Sequence, residues 1–143
     1  MADLELAVRC AAHMYASDTA SQMLGIEVDI PEAGKATAHM TIRDDMVNGF
    51  GVCHGGLIFA LADTAFAFAC NAYNQQAVAA SAQIEFLRPA KLDDTLKATA
   101  TEDYRGRKRG YYSVVVCNQA DQPVALFQGR SASNETPLVD SQK

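Results

Sequence analysis

A glycine pair, Gly55-Gly56, begins the segment of this sequence whose residue types and spacing could support chemistry. From Asn48 to Asn71 the chain reads NGFGVCHGGLIFALADTAFAFACN, and most residues after the glycines are apolar. At the start of a helix, glycines leave backbone N–H groups free and place no side chain in front of them. Such a helix start suits an anion, or a carbonyl oxygen that is gaining negative charge. The alternative is that the glycines only allow close packing of a helix against a sheet.

A carboxylate, Asp63, interrupts the apolar stretch eight residues after Gly55. Apolar residues on every face predict a helix that is buried all round, where a charge does nothing for folding. No basic residue lies at helical spacing from Asp63, so burial would disfavour its ionised form. We interpret Asp63 as a side chain that faces a cavity between subunits. The alternative is an aspartate that is hydrogen-bonded to a neighbouring loop.

The spacing of these two groups has a geometric consequence. At roughly 1.5 Å of rise per residue, Gly55 and Asp63 are about 12 Å apart along one helix. One helix therefore cannot bring its own Gly55 amide and its own Asp63 to the same reacting carbon. If both residues serve one site, the second must come from another subunit, most simply across a two-fold axis.

Several segments at this spacing together resemble the signature of the hotdog-fold acyl-CoA thioesterases, in the PaaI-type branch of phenylacetate degradation. A bare His-Gly-Gly is a weak signal, whereas the combined pattern is specific and covers most of the chain. The matching residues are Asn48, His54-Gly55-Gly56, Leu61-Ala62-Asp63-Thr64, Ala65-Phe66-Ala67, Ile84-Glu85-Phe86-Leu87-Arg88-Pro89 and Val124-Ala125-Leu126-Phe127.

The resemblance implies a reaction: hydrolysis of acyl-CoA thioesters with aryl-acetyl or other small to medium acyl groups. It implies no metal and no cofactor, because coenzyme A is part of the substrate. The Gly55 N–H would polarise the thioester carbonyl, and Asp63 of the partner chain would activate water or attack directly to give an anhydride. The residue that matches His54 orients the site, and the one that matches Asn48 contacts the thioester or the water.

Thr64 and Ser81 match polar positions of second rank in the family, and Ser81 is expected to place the water. Each of these assignments has a plain structural alternative. Asn48-Gly49 is also a common turn dipeptide. His54 is also suited to a helix cap, and Ser81 to an ordinary strand hydroxyl.

Two basic segments are candidates for holding the phosphates of coenzyme A through charge-assisted contacts. The first, Arg105-Gly-Arg-Lys-Arg109, concentrates four of the chain's 12 basic residues, among them Arg107, Lys108 and Arg109. The alternative for this segment is a solvated hairpin tip. The second candidate is Arg88, which precedes Pro89 at the end of a predicted strand.

Two other functions belong to the same fold. One is a hydratase or dehydratase that acts on enoyl-thioesters, although that class typically places its catalytic residues differently from His-Gly-Gly followed by Leu-Ala-Asp-Thr. The other is a non-catalytic module that binds acyl-CoA. Asp63 argues against the second, because binding an apolar acyl chain gains nothing from a buried charge.

The rest of the chain predicts the elements that position these residues. Residues 1–24 indicate N-terminal helices, 26–42 a hairpin, 77–133 a meander of about four strands, and 134–143 a flexible tail. Val78, Ala80, Ala82, Ile84 and Phe86 are expected on one face of their strand, and Val124 and Leu126 on one face of the last. Helix and sheet segregate, so we expect one α+β domain over 1–143, with an antiparallel sheet wrapped around a long central helix.

Composition and charge limit the partners and the cellular compartment that are expected. The chain has 143 residues, 49% of them apolar and 20% charged, and a net charge of −5, which argues against nucleic acid as a general partner. No signal peptide is visible and the apolar stretch is too short to span a membrane, so cytoplasm is expected. Four scattered cysteines predict reduced thiols rather than disulfides or zinc. If Gly55 and Asp63 are both catalytic, the geometry predicts homodimers with shared sites, and the resemblance implies tetramers.

Overall fold

The computed structural model describes residues 3–140. Two capped helices precede the sheet, namely α1 (Leu4–Ser17) and α2 (Thr19–Met23). The carboxylate of Asp3 accepts the Leu6 N–H at 3.1 Å, and that of Asp18 accepts the Ser21 N–H at 3.0 Å. These caps satisfy N–H groups that a helix start leaves unpaired, which is why each helix begins where it does.

Six strands then form one antiparallel sheet. They are β1 (Glu27–Glu32), β2 (Lys35–Thr41), β3 (Ala77–Phe86), β4 (Thr95–Arg105), β5 (Arg109–Cys117) and β6 (Pro123–Ser133). Their spatial order is β1-β2-β4-β5-β6-β3. In β2, the returning strand of the predicted hairpin, apolar Ala36, Ala38 and Met40 alternate with polar Thr37 and His39, and the apolar residues are buried while the polar ones are only partly covered.

The central helix, α3 (Gly55–Cys70), packs against all six strands. Phe66 anchors it, since its ring lies 5.6 Å from that of Tyr112 and 5.8 Å from that of Phe127. Gly129 carries no side chain where Phe66 passes, and a Cβ there would lie 2.8 Å from the Phe66 ring. The predicted α+β architecture, a sheet wrapped around one long helix, is therefore confirmed.

The strand connections differ from the simple meander that the sequence predicted. Only β4, β5 and β6 follow one another in space, because β3 pairs with β6 at the far edge and β4 pairs with β2. The segment between β3 and β4 crosses in front of the start of α3. There the Cys53 N–H donates to the Ala90 carbonyl at 2.8 Å, and Val52 forms a bridge with Lys91.

Two predicted strand faces are also corrected. The register of β3 shifts between Ala79 and Ser81, so Val78 lies on the opposite face from Ile84 and is 64% exposed. The extra residue of such a bulge reverses the alternation of side chains. In β6, Val124 and Leu126 do not share one face, because Val124 is buried with Phe127 in the core while Leu126 is 44% exposed. The register of β5 with β6 shifts beside Val124.

The end of the chain is held against the fold where the sequence predicted a flexible tail over residues 134–143. The side-chain oxygen of Asn74 accepts the Leu138 N–H at 2.8 Å and the Val139 N–H at 2.9 Å. The Arg9 guanidinium donates to the Asp140 carbonyl. Residues 134–136 are hydrogen-bonded to Gln76, and 138–140 to Asn74 and to Arg9 of α1. Residues 141–143 lie outside the described residues.

We expect Gly129→Ala to lower the free energy of unfolding by about 1–3 kcal/mol, because the added methyl overpacks the core against Phe66. Urea unfolding at matched protein concentration measures the change. Gly49→Ala is the control, since a Cβ at Gly49 meets nothing within 4 Å. Equal unfolding midpoints for the two variants would contradict the packing described for Phe66.

Candidate functional site

The start of α3 is held in place by backbone hydrogen bonds on two sides. The His54 N–H donates to the Met46 carbonyl at 2.9 Å, and the Cys53 N–H donates to the Ala90 carbonyl at 2.8 Å. The residues on either side of this loop, Val47 and Cys53, pair as an isolated bridge. The position of the first helical residue, Gly55, is thus fixed by contacts outside the helix.

The first N–H groups of α3 are free. His54 precedes the helix with φ −55° and ψ 134°, and its carbonyl accepts the N–H groups of Leu57 and Ile58. Within residues 3–140, the N–H groups of Gly55 and Gly56 have no acceptor. They can donate to a ligand oxygen, with the positive end of the helix dipole behind them.

An open cleft of about 370 Å³ lies at this helix start. Gly55, Arg88 and Pro89 line it, so the structure brings together three of the residues that the sequence singled out. Ile58 and Phe86 provide apolar walls. Nothing in the sequence pattern connects Phe86 with Gly55, because their contact joins two elements that are distant in the chain.

Asp63 lies on a stripe of α3 that the chain does not fully cover. Gly56, Ala60, Asp63 and Ala67 follow one another at helical spacing, and each is exposed or only partly buried. The prediction that α3 is buried all round was therefore wrong for this stripe. The reason is that six strands of a single chain curve around only part of the helix circumference.

The Asp63 carboxylate has no hydrogen bond or ion pair within residues 3–140. Partial burial raises its pKa above the ordinary value of 3.8, because desolvation disfavours the charged form. The alternative of a hydrogen bond to a neighbouring loop is not what the structure contains. A carboxylate with a raised pKa and free oxygens is suited to accept a proton.

Gly55 and Asp63 do not meet within one chain. Both lie on α3, eight residues apart on a regular helix, so about 12 Å of axial distance separates them. The cleft at Gly55 is lined by residues from the helix start, the end of β3 and the crossing segment, and Asp63 is not among them.

Asn48 and His54 both precede the free N–H groups in the chain, and their side chains differ in the hydrogen bonds that they make. The Asn48 side-chain oxygen accepts the N–H groups of Phe50 at 2.9 Å and Val52 at 3.3 Å, so Asn48 does shape a turn. This leaves its amide NH2 as the group that can contact a ligand. The His54 imidazole is exposed and makes no capping hydrogen bond, so the alternative of a side-chain helix cap does not apply.

Thr64 faces the N-terminal helices rather than the cleft. Its hydroxyl donates to the Ala60 carbonyl at 2.7 Å and lies 3.5 Å from the Ser21 hydroxyl. Ser21 is 3% exposed and donates to the Asp18 carboxylate at 2.6 Å. This chain of hydrogen bonds ties α3 to α2 at the residue next to Asp63, which suits Thr64 to positioning rather than to contact with a ligand.

The structure does not bring Ser81 to α3. Ser81 pairs with Arg130, and the neighbours of Arg130 on β6 face the helix, so Arg130 and Ser81 face the other way. Ser81, Asp103 and Arg130 line a second cleft of about 350 Å³ on the outer face of the sheet. The physical reason is the regular register after the bulge, because Ser81 alternates with Ala82, whose partner Gly129 faces Phe66.

The two basic segments lie at opposite ends of α3. Arg88 is at the Gly55 end, whereas Arg107, Lys108 and Arg109 sit beside Cys70, the last residue of the helix. All four basic side chains are exposed, and Arg107 forms an ion pair with Glu135 at 3.6 Å. One chain therefore does not gather Arg88 and the 107–109 loop around one phosphate group.

Cys53 is not an activated nucleophile. Its side chain is 4% exposed and donates to the His54 carbonyl at 3.4 Å. Burial raises the pKa of the Cys53 thiol to about 11, so the thiolate is scarce at neutral pH. All four cysteines lie within the described residues as free thiols.

Two further features of residues 3–140 bear on function. No three side chains of His, Cys, Asp or Glu lie close enough together there to share a metal ion. Over the same residues, no helix is long and apolar enough to cross a membrane.

Comparisons with known proteins bear directly on this site. The model of the thioesterase superfamily matches residues 50–125, which include Gly55 and Asp63. The acyl-coenzyme A thioesterase PaaI of Escherichia coli K12 is 45% identical over 118 residues, which cover 82% of this chain and 84% of that protein.

Solved structures of similar proteins have the same fold as this chain. The structure of the E. coli PaaI protein from the phenylacetic acid degradation operon matches with a TM-score of 0.91 and 41% identity, over 93% of this chain and 96% of that one. A Streptococcus mutans protein bound to acetyl CoA matches with a TM-score of 0.75 and 27% identity, over 78% of this chain and 90% of that one.

The raised pKa of Asp63 predicts a signed effect on stability. The folded chain holds the Asp63 proton more tightly than the unfolded chain, so this carboxyl lowers stability as pH rises from 3.8 through the folded pKa. Asp63→Asn should therefore gain stability relative to the parent protein across that window. Urea unfolding of both proteins from about pH 3 to about pH 7 measures the difference.

Asp45 provides a control of opposite sign. A hydrogen bond from Arg43 lowers the pKa of Asp45, so its contribution is present above 3.8 and is lost as pH falls through the folded pKa. Asp45→Asn should lose stability relative to the parent as pH rises. A pH-independent difference for Asp63→Asn would contradict the burial described for Asp63.

Proposed function

This chain belongs to the thioesterase superfamily, and we propose that it hydrolyses acyl-CoA thioesters to a free acid and coenzyme A at a site shared by two subunits. The observation that carries the shared site is Asp63, a half-buried carboxylate with no partner within residues 3–140 on the uncovered stripe of α3. Aryl-acetyl groups and other small to medium acyl groups are the proposed substrates, in keeping with the operon named for the E. coli relative.

The proposed reaction begins with the thioester carbonyl at the start of α3. The free Gly55 N–H donates to the carbonyl oxygen and stabilises the negative charge that develops there. Asp63 of the partner subunit takes a proton from water as the water attacks the carbonyl carbon, or it attacks that carbon itself to form an anhydride. The carbon–sulfur bond then breaks, and the coenzyme A thiolate leaves and is protonated. In the anhydride route, water then attacks the anhydride, which releases the free acid and restores the Asp63 carboxylate. Neither route calls for a metal or a resident cofactor.

A second copy would cover the two features that one chain leaves open. The first is the stripe of α3 that holds Asp63. The second is β3, which is ten residues long, pairs with β6 on one side and has no strand on the other within residues 3–140. Pairing of β3 with its two-fold copy would extend the sheet and bring Asp63 of one subunit toward Gly55 of the other. The further assembly of such dimers into a tetramer remains a proposal from the resemblance.

The remaining candidates divide between the two subunits in this arrangement. The Asn48 amide and the His54 imidazole, from the segment that leads into Gly55, are the proposed contacts to the thioester or the water. Arg88 and Pro89 line the same cleft, on the path of the coenzyme A arm. Arg107, Lys108 and Arg109 of the partner subunit lie at the other end of its helix, as a second set of phosphate contacts. We place the enzyme in the cytoplasm.

The structure supports a role in the proposed site for Thr64 but not for Ser81. The hydrogen bonds of Thr64 to Ala60 and Ser21 support a role in holding Asp63 in position. The outward orientation of Ser81 gives no support to its placing the water, and that role is not part of the proposal.

We expect Asp63→Asn to fold and dimerise but to lose thioester hydrolysis by about 10²–10⁴-fold, since an amide cannot accept the proton from water. Release of free coenzyme A thiol from a panel that includes phenylacetyl-CoA, followed with a thiol reagent, measures the loss. Size-exclusion chromatography verifies the fold and assembly. Full activity of the Asn variant would eliminate Asp63 as base or nucleophile.

The two-chain site makes a quantitative prediction for mixed dimers. Gly55→Pro removes the N–H at the first helical position, where proline is tolerated. Gly55→Ala adds a Cβ against Phe86 but retains the N–H, so the additional loss in Gly55→Pro measures the hydrogen bond itself. A dimer of one Gly55→Pro chain and one Asp63→Asn chain contains one intact site and one site with both defects. Random subunit exchange between the two inactive variants should therefore restore about a quarter of the parent activity.

The result separates two arrangements. If each site used Gly55 and Asp63 of the same chain, the mixed dimers would contain no intact site. Verified mixed dimers without activity would thus overturn the shared site while leaving the thioesterase assignment intact.

A further inference from the structure

The ring of Phe86 is seated directly on Gly55. A Cβ placed on Gly55 would lie 3.0 Å from Cζ, 3.3 Å from Cε1 and 3.5 Å from Cε2 of that ring. Gly55 does not have a positive φ, unlike Gly25, Gly34 and Gly51, so its backbone conformation does not require glycine. The ring is thus the reason, within one chain, that a side chain does not fit easily at the start of α3.

The backbone around Phe86 is fixed while its ring borders the open cleft. Phe86 is the last residue of β3 and pairs with Ala125, on the face of β6 that carries Phe127 toward the helix. Immediately after it, the Leu87 N–H donates to the Val124 carbonyl at 2.8 Å. The side chain itself is 53% exposed and lines the cleft of about 370 Å³ beside Gly55.

We propose that Phe86 is a specificity-determining residue whose ring restricts bulk on the acyl carbon next to the thioester carbonyl. This inference rests on the proposed function, because it takes the Gly55 N–H as the donor to the carbonyl oxygen. A carbonyl oxygen bonded at about 2.9 Å from that nitrogen puts the carbonyl carbon about 4 Å from it. The acyl α-carbon then lies within van der Waals reach of a ring that already touches Gly55.

The position of the Phe86 ring discriminates between acyl groups with and without a branch at the α-carbon. An unbranched CH2 next to the carbonyl, as in a butyryl or a phenylacetyl group, can pass along the ring. A methyl branch on the same carbon adds a group on the side where the ring stands, and either the ring or the thioester has to shift. A displaced carbonyl loses its hydrogen bond to the Gly55 N–H, which lowers kcat/KM. The substrate class is therefore acyl-CoA without a branch at the α-carbon.

The test compares isomeric substrates of equal carbon number. The ratio of kcat/KM for butyryl-CoA to that for isobutyryl-CoA is measured for the parent protein, Phe86→Leu and Phe86→Ala. We expect the parent to prefer the unbranched substrate, and the ratio to fall at least about tenfold in Phe86→Ala, the scale on which one methyl group is discriminated by a pocket. 3-Phenylpropionyl-CoA and 2-phenylpropionyl-CoA form a second isomeric pair.

The control is Tyr104→Leu, which removes another exposed aromatic ring. Tyr104 is 62% exposed and contacts Tyr111 at 6.1 Å between ring centroids, outside the cleft. Its ratio should equal that of the parent. An unchanged ratio in both Phe86 variants, or a parent that does not discriminate, overturns the role of Phe86 but leaves hydrolysis in place. A folded parent that hydrolyses neither pair overturns the proposed function, and the inference with it.

A double variant tests the contact itself. Gly55→Ala should press its methyl against the ring, which can move because its far side is open, and this should lower kcat/KM for both substrates. Phe86→Leu removes the obstructing ring atoms, so the loss caused by Gly55→Ala should be smaller in the Phe86→Leu background. An equal loss in both backgrounds would show that the ring and Gly55 act independently, which overturns the inference.

Discussion

The arrangement of this molecule depends on the packing of α3 in the concave face of the sheet. Phe66 lies between Tyr112 and Phe127 and passes over Gly129, which carries no side chain. These contacts fix the axis of the helix and its rotation. Because both candidate catalytic groups lie on α3, the core packing also decides where the free N–H groups of Gly55 point and that Asp63 emerges on the side that the sheet leaves open.

Local sequence patterns were enough to predict the central helix, most strands and two of the candidate residues. The apolar run of α3 and the alternation of apolar and polar residues in β2 reflect packing rules that act over a few residues. Gly55 and Asp63 were equally visible as candidates, because a glycine pair at a helix start and a charge in an apolar helix are unusual whatever surrounds them. The roles of Asn48 and His54 came from resemblance to a family and not from spacing.

Features that depend on distant partners were not predictable in this way. The bulge beside Ser81 is set by the pairing of β3 with Ser131 and Arg130, and its one extra residue is enough to turn Val78 outward. The contact of Thr64 with Ser21 and that of Phe86 with Gly55 join segments with no shared pattern. The fraction of the α3 surface that the sheet buries also depends on how far the sheet curves, and no single segment of the sequence predicts that curvature.

The long outer edge of β3 has a consequence for how the chain reaches its folded state. Its partner β6 is the last strand of the sheet to be synthesised, so β3 must wait for the rest of the sheet, and pairing over such a separation slows folding. Of the charged and proline residues that protect strand edges from adding foreign strands, β3 contains only Glu85. The nascent protein therefore passes through a period of vulnerability to aggregation that ends only when this edge is covered.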